Sequence, residues 1–141
     1  MTTSTPLELS LPAAPGSART ARAAVADALA ELGIEENVAD DVRLCVSEAV
    51  TNAVRHAYGS ACGTVDVTVV DHDPGVLVVV RDFGSGLMGG YRNGAAGFGL
   101  ALINAMTDAC AVSSVSGAGT EVSMAFGTTL DVAPRVAAFS A

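Results

Sequence analysis

The chain has 141 residues, half of them hydrophobic, and carries 7 basic against 15 acidic residues for a formal net charge of −8. This length suits one domain with a two-layer core, and the acidic balance argues against direct binding to nucleic acids or to anionic membranes, which depends on basic patches. All the basic residues are arginines, so the missing lysine excludes a P-loop and the strand lysine of an ordinary protein kinase.

The cysteines and the N-terminus indicate the compartment. Cys45, Cys62 and Cys110 lie far apart and are odd in number, which predicts neither a disulfide framework nor a zinc site. The first ten residues have no basic start and no apolar stretch of signal-peptide length, and no apolar run approaches a membrane span. We therefore expect a cytoplasmic protein with reduced thiols.

The first part of the chain predicts one strand followed by two helices. Leucines alternate with polar or small residues over positions 7–11, which indicates a short strand that ends near Pro12. Apolar residues then recur at helical spacing over 17–32, and Gly33 is a natural stop. A second helix is predicted over 35–58, with acidic residues in its first turn.

The rest of the chain predicts four strands and one helix. Valines alternate with polar residues over 65–69, and an almost continuous apolar strand follows over 76–80. Helical periodicity resumes at Leu100. Two closing strands are predicted over 109–115 and 121–126.

Glu48 and Asn52 form the first candidate site. They lie four residues apart on the second predicted helix, roughly 40° apart around its axis, so both can address one ligand. Magnesium on a triphosphate takes oxygen ligands, and the amide oxygen of Asn52 with phosphate oxygens would suffice. Glu48 would then be free to accept a proton. The alternative is a solvated carboxylate and an ordinary amide beside an apolar stripe.

Asp82 follows a predicted buried strand and begins the second candidate site. An ionised carboxylate only accepts hydrogen bonds, so Asp82 could bind the exocyclic amine of adenine, while Gly84 and Gly86 let backbone approach the base. Thr120 could add a hydroxyl, directly or through water. The alternatives are a turn that needs glycine at Gly84 and a hairpin turn before Thr120.

A glycine-rich segment supplies the third candidate site. Seven of the sixteen residues that end at Gly99 are glycine, which predicts a loop that closes as a lid. Gly97, Phe98, Gly99 and Leu100 begin a helix, whose free amides and positive dipole end attract phosphate. Arg92 lies in the same loop and is a candidate to clamp a triphosphate.

In this order, four blocks of the sequence resemble the GHKL ATPase superfamily, and within it the small bacterial anti-sigma-factor serine kinases. The blocks are residues 48–52, 82–86, 97–100 and 117–120. The closest match is the block Glu48-Ala-Val-Thr-Asn52-Ala-Val-Arg-His56-Ala-Tyr58. The next is Gly97-Phe-Gly-Leu-Ala-Leu-Ile103. The resemblance covers about residues 7–126.

The resemblance implies a fold, a cofactor and roles for three residues. The fold implied is an α/β sandwich of two layers, with helices on one face of a largely antiparallel mixed sheet. The ligand implied is ATP with Mg²⁺: Asn52 would ligate the metal, Glu48 would be the general base and Asp82 would read adenine. We expect one kinase domain over residues 1–126 and a C-terminal tail over 127–141.

The function implied is phosphorylation of a serine on an antagonist protein of the STAS type, in alternation with binding of a sigma factor. The resemblance also allows a homodimer. Two alternatives stay open. One is a module that holds nucleotide and acts only by binding a protein, which is favoured by Phe83, where many relatives have a polar residue, and by the short lid over 87–96. The other is a plain ATPase in which Glu48 activates water.

Overall fold

The structure is a computed structural model that describes residues 4–58, 62–84, 97–115 and 117–127. Its five strands form one sheet in the order β1-β2-β3-β5-β4, with antiparallel neighbours throughout. The strands are β1 (Ser4–Pro12), β2 (Thr64–His72), β3 (Gly75–Asp82), β4 (Ala109–Val115) and β5 (Gly119–Phe126). Because β5 lies between β3 and β4, the end of β3 is beside the start of β5.

Three helices complete the described fold, and each was predicted from its apolar spacing. They are α1 (Ser17–Glu31), α2 (Glu36–His56) and α3 (Gly97–Met106). One stripe of α2 is buried, from Ala39 to Ala53, and α2 contacts both other helices and the central strands. The described helices pack on the same core side of the sheet. The predicted two-layer α/β fold is therefore confirmed.

The main core lies between the helices and alternate residues of the central strands. In β3 and β5 these residues are Val76, Val78, Val80, Val122, Met124 and Phe126. Strand side chains alternate between the two faces of a sheet. Asp82 and Thr120 continue these two series and pair in register. A carboxylate and a hydroxyl therefore end two apolar rows on the helix side of the sheet.

Some predictions fall outside the described residues. They concern most of the glycine-rich loop, over 85–96, and the C-terminal segment from 128 onward. The division of the chain after residue 126 stays a prediction. Within the described ranges, no helix combines the length and the hydropathy needed to cross a membrane.

Candidate functional site

Asp82 is held at the end of β3 by backbone donors from two segments. Its side chain is only 2% exposed. Oδ1 accepts the N–H of Gly84 at 3.0 Å and the N–H of Thr120 at 3.1 Å. Both bonds end on Oδ1, so neither uses Oδ2. The arrangement fixes one carboxylate oxygen and leaves the other to a further donor.

The electrostatics of Asp82 favour such a donor. Burial raises the pKa of this carboxyl above its ordinary value of 3.8, and the N–H groups of Gly84 and Thr120 oppose the rise. Desolvation therefore outweighs the two hydrogen bonds, and the ionised form is less stable here than in water. A ligand that donates a hydrogen bond to Asp82 would compensate this cost, as often occurs at binding sites.

Two glycines let backbone segments approach each other around Asp82. A Cβ on Gly84 would lie 2.0 Å from the carbonyl oxygen of Ala57, directly after α2. A Cβ on Gly119 would lie 2.1 Å from the carbonyl oxygen of Asp82, and Gly119 has a φ of +108°. Both positions require glycine for packing within the protein, independently of any ligand.

Thr120 is buried and pairs with Asp82 across β3 and β5. β4 and β5 form an antiparallel hairpin, with Gly117 at φ +80° in the turn, so the hairpin interpretation is correct. The hairpin also aligns Thr120 with Asp82. The hydroxyl of Thr120 lies 3.2 Å from that of Ser114. This contact ties the threonine hydroxyl to β4, on the side of β5 away from Asp82.

Asn52 is a buried amide with an unused donor. Its side chain is 5% exposed, and Nδ2 has no hydrogen-bond partner among the residues that the structure describes. An unsatisfied buried donor costs about 1–3 kcal/mol, and an acceptor at Nδ2 would offset that cost. A magnesium-bound triphosphate fits this side chain, because the amide oxygen suits the metal and Nδ2 suits a phosphate oxygen.

Helix α2 sets the spacing between the parts of the site. Asn52 lies five residues before Ala57, which is about 7–8 Å along the helix axis. Ala57 contacts Gly84, next to Asp82. Asn52 is therefore on α2 itself, whereas Asp82, on β3, lies next to the segment that meets the end of the same helix.

Glu48 lies one helical turn before Asn52 and is half-buried. Its charge contributes, after burial and the groups of Asp41 and Cys110, to raising the pKa of the Cys45 thiol to about 12. Cys45 is fully buried and is a free thiol, so it is an inert core residue. Glu48 is partly exposed, which leaves its carboxylate open to an incoming group.

The remaining predicted site residues lie at or beyond the limits of the described chain. Gly86 and Arg92 lie outside it. Gly97, Phe98 and Gly99 form the first turn of α3, so the predicted start of a helix at this block is confirmed. Leu100 is half-buried and packs against the main core.

Tyr58 was not among the predicted site residues, yet it connects α2 to the Asp82 segment. Its hydroxyl donates to the carbonyl of Thr64 at 2.6 Å and accepts the N–H of Phe83 at 2.7 Å. Tyr58 is half-buried, and its place directly after a helix end was the available signal, because a partly buried tyrosine hydroxyl can bond to neighbouring backbone. Phe83 itself is 43% exposed, and the guanidinium of Arg81 lies 4.8 Å from its ring centroid.

Comparisons with known proteins bear on this site. A family model described as the histidine kinase-like ATPase domain matches residues 11–126. The anti-sigma F factor of Pasteuria penetrans is 35% identical over 117 residues, which cover 74% of this chain and 78% of the relative. The anti-sigma F factor of Clostridium acetobutylicum is 40% identical over 67 residues, 48% of this chain and 47% of the relative. That match spans about half the length of the Clostridium protein.

A solved structure gives an independent similarity. The crystal structure of the RsbU and RsbW domains of a Mycobacterium tuberculosis protein superposes with a TM-score of 0.67 and 26% identity. The match covers 89% of this chain and 32% of that chain. Most of the present chain therefore corresponds to one part of a larger protein.

Proposed function

Because this chain belongs to the histidine kinase-like ATPase domain family, we propose that it binds ATP with Mg²⁺ and transfers the γ-phosphate to a serine of a protein antagonist. The GHKL family and the anti-sigma-factor type predicted from the four sequence blocks are confirmed by the matched domain, the anti-sigma F factors and the RsbW structure. The substrate, the residue roles and the metal belong to the proposal.

The observation that carries the proposal is the buried Asp82 carboxylate with one oxygen fixed by Gly84 and Thr120. The other oxygen can accept a hydrogen bond from the exocyclic amine of adenine. A base with a carbonyl at that position would instead face the carboxylate with an acceptor, which is unfavourable. Asp82 therefore favours adenine over guanine or hypoxanthine.

The phosphate end of the nucleotide is assigned to Asn52 and to the start of α3. Asn52 would ligate Mg²⁺ and donate from Nδ2 to a phosphate oxygen, which satisfies the buried donor. Magnesium supplies neutralisation of the triphosphate charge. The first backbone amides of α3, at Gly97 to Leu100, suit phosphate oxygens because they lie at the positive end of the helix dipole. Gly86 and Arg92 complete this proposed site from the loop.

Glu48 is the proposed general base. It accepts the proton of the serine hydroxyl while the serine oxygen forms a bond to the γ-phosphorus. The bond between that phosphorus and the bridging oxygen breaks, and ADP leaves with the electron pair. Glu48 is half-buried and lies one turn from Asn52, so a serine can approach it from outside the core.

The partners are proposed from the relatives. Two similar proteins are named anti-sigma F factors, and the similar crystal structure contains both an RsbU domain and an RsbW domain. We infer that this chain binds a sigma factor and a STAS-type antagonist, in alternation, in the cytoplasm. A homodimer is part of the same proposal. The net charge of −8 suits protein partners better than direct contact with nucleic acid.

Incubation with ATP labelled on the γ-phosphate, together with candidate antagonists, tests this function. Label on an antagonist serine is the expected result. The Glu48→Gln variant keeps a hydrogen-bonding side chain but is a poor base, so it should bind ATP normally and transfer phosphate about 10²- to 10⁴-fold more slowly. Full transfer by this variant would contradict the role of Glu48.

The same experiment separates the alternatives. Release of free phosphate without a labelled partner would identify a plain ATPase. Retention of intact ATP would identify a nucleotide-binding module, for which the exposed Phe83 ring next to Asp82 is the supporting observation. The hydrophobic surface of that ring suits contact with a protein.

A further inference from the structure

The Tyr58 hydroxyl joins three segments of the chain. Tyr58 follows the end of α2, its proton goes to the carbonyl of Thr64 at the start of β2, and its oxygen accepts the N–H of Phe83 just after β3. A hydroxyl has one proton to donate, and this one is committed to Thr64. The bond from Phe83 therefore has a defined direction.

The ring of Tyr58 is fixed as well as its hydroxyl. A Cβ on Gly63 would lie 2.2 Å from the nearest ring carbons, so the ring occupies the space that glycine leaves. On the neighbouring side, Gly84 lies directly against the carbonyl of Ala57. The end of α2 thus contacts the Asp82 segment through both a backbone approach and a side-chain bridge.

These contacts hold the peptide unit between Asp82 and Phe83 from two sides. The N–H of this unit, which belongs to Phe83, bonds to Tyr58. Its carbonyl, which belongs to Asp82, lies where only a residue without Cβ fits, at Gly119. A peptide unit is planar, so fixing both groups fixes the backbone from which the Asp82 side chain projects.

We propose that Tyr58 is a positioning residue that directs the Asp82 carboxylate toward the amine of an adenine base and thereby sets the preference for adenine. This inference rests on the proposed binding of ATP. Tyr58 does not contact the base itself. It keeps Oδ2 in line with the amine by holding the Asp82–Phe83 peptide against α2, the helix that carries Asn52.

A purely structural role for Tyr58 predicts a different result. If the hydroxyl only anchored the segment, its loss would lower the stability of the fold and weaken the binding of all purine nucleotides alike. Inosine triphosphate separates the two roles, because its base has a carbonyl where adenine has the amine. It still presents the same ribose and triphosphate to the rest of the site.

The experiment is calorimetric titration of ATP and of inosine triphosphate, each with magnesium, into the wild type and Tyr58→Phe. The variant keeps the ring that packs against Gly63 and loses only the hydroxyl. We expect ATP affinity to fall about tenfold, the size of effect that follows from loss of one hydrogen bond. Inosine triphosphate affinity should change less than twofold. The ratio of ATP affinity to inosine triphosphate affinity therefore falls.

Two further variants make the result specific. Thr20→Val removes another side-chain hydroxyl, on α1, which donates to the carbonyl of Gly16 just before that helix, and should leave the ratio unchanged. Gly63→Ala displaces the Tyr58 ring without removing the hydroxyl and should lower the ratio as Tyr58→Phe does. It also provides the test if Tyr58→Phe does not fold.

Equal loss of affinity for both nucleotides in Tyr58→Phe would overturn the positioning role. A ratio of ATP to inosine triphosphate affinity that stays unchanged in both Tyr58→Phe and Gly63→Ala would overturn it too. The wild type tests the proposed function separately. If it binds neither nucleotide, the proposed function fails and this inference fails with it. If it binds ATP with a preference over inosine triphosphate that Tyr58→Phe keeps, only the inference about Tyr58 fails.

Discussion

The Asp82 carboxylate oxygen and the backbone N–H of Thr120 lie 3.1 Å apart across the paired strands β3 and β5. These residues are 38 positions apart in the chain and meet because β5 pairs directly with β3. Their bond places a carboxylate, which is costly to bury, at the end of the main core. The chemistry proposed for this protein depends on that placement.

Asp82→Asn should weaken ATP binding by about 10- to 100-fold. Asparagine keeps an oxygen that can accept the bonds from Gly84 and Thr120, but it loses a charge-assisted hydrogen bond to the base, which contributes about 1.5–3 kcal/mol. Titration calorimetry with ATP and GTP measures the effect. Asp71→Asn, a half-buried position on β2, is the matched control and should bind normally. An adenine preference that persists in Asp82→Asn would refute the role of Asp82.

Asp82→Asn should weaken ATP binding but should make the ligand-free protein more stable than the wild type at neutral pH. Since burial raises its pKa from 3.8, the folded state holds the proton more tightly than the unfolded state. This contribution to stability is fully present below pH 3.8 and is lost as the pH rises through the folded pKa. Asparagine does not ionise, so Asp82→Asn does not lose stability in this pH range.

Chemical denaturation at a series of pH values checks this sign. The free energy of unfolding of Asp82→Asn, minus that of the wild type, should increase as the pH rises from about 3.8 and then become constant. A difference that decreases over this range would mean that the carboxylate is stabilised in the folded state, with its pKa lowered.

Gly84→Ala should destabilise the fold by about 3 kcal/mol, near the upper end of overpacking costs. The new Cβ would lie 2.0 Å from the carbonyl oxygen of Ala57, and neither backbone can move without disturbing α2 or Asp82. Gly117→Ala is the control, because its Cβ would meet nothing within 4 Å and only its φ of +80° is unfavourable. That variant should lose about 1 kcal/mol. Thermal and urea unfolding measure the free energy of unfolding of both variants. Equal losses of stability would contradict the close approach at Gly84.

Asn52→Ala should abolish magnesium-dependent binding of ATP. It should also leave the ligand-free protein within about 1 kcal/mol of the wild type, because removal of an unsatisfied buried donor offsets the lost packing. Calorimetry with and without magnesium, and urea unfolding of the same samples, measure both effects. Intact magnesium-dependent binding would show that Asn52 is not the ligand. A large loss of stability would show that its amide has a structural role.

The sequence predicted the elements of the fold well because each has a strong local pattern. The β2 and β3 valines and the apolar stripe of α2 follow the periods of strand and helix, so their existence follows from local geometry. The paired positions of Glu48 and Asn52 on one helix were predictable for the same reason. The start of α3 at Gly97 also followed from its glycines and the apolar residues after them.

The tertiary structure decided which of these residues meet. Pairing of Asp82 with Thr120 depends on the insertion of β5 between β3 and β4, and no local pattern encodes that order. The bridge through Tyr58 needs a helix end, the start of one strand and the end of another to converge. Local periods specify each segment, whereas packing of the shared core sets the strand order, and only that order brings these hydrogen-bonding groups within reach of one another.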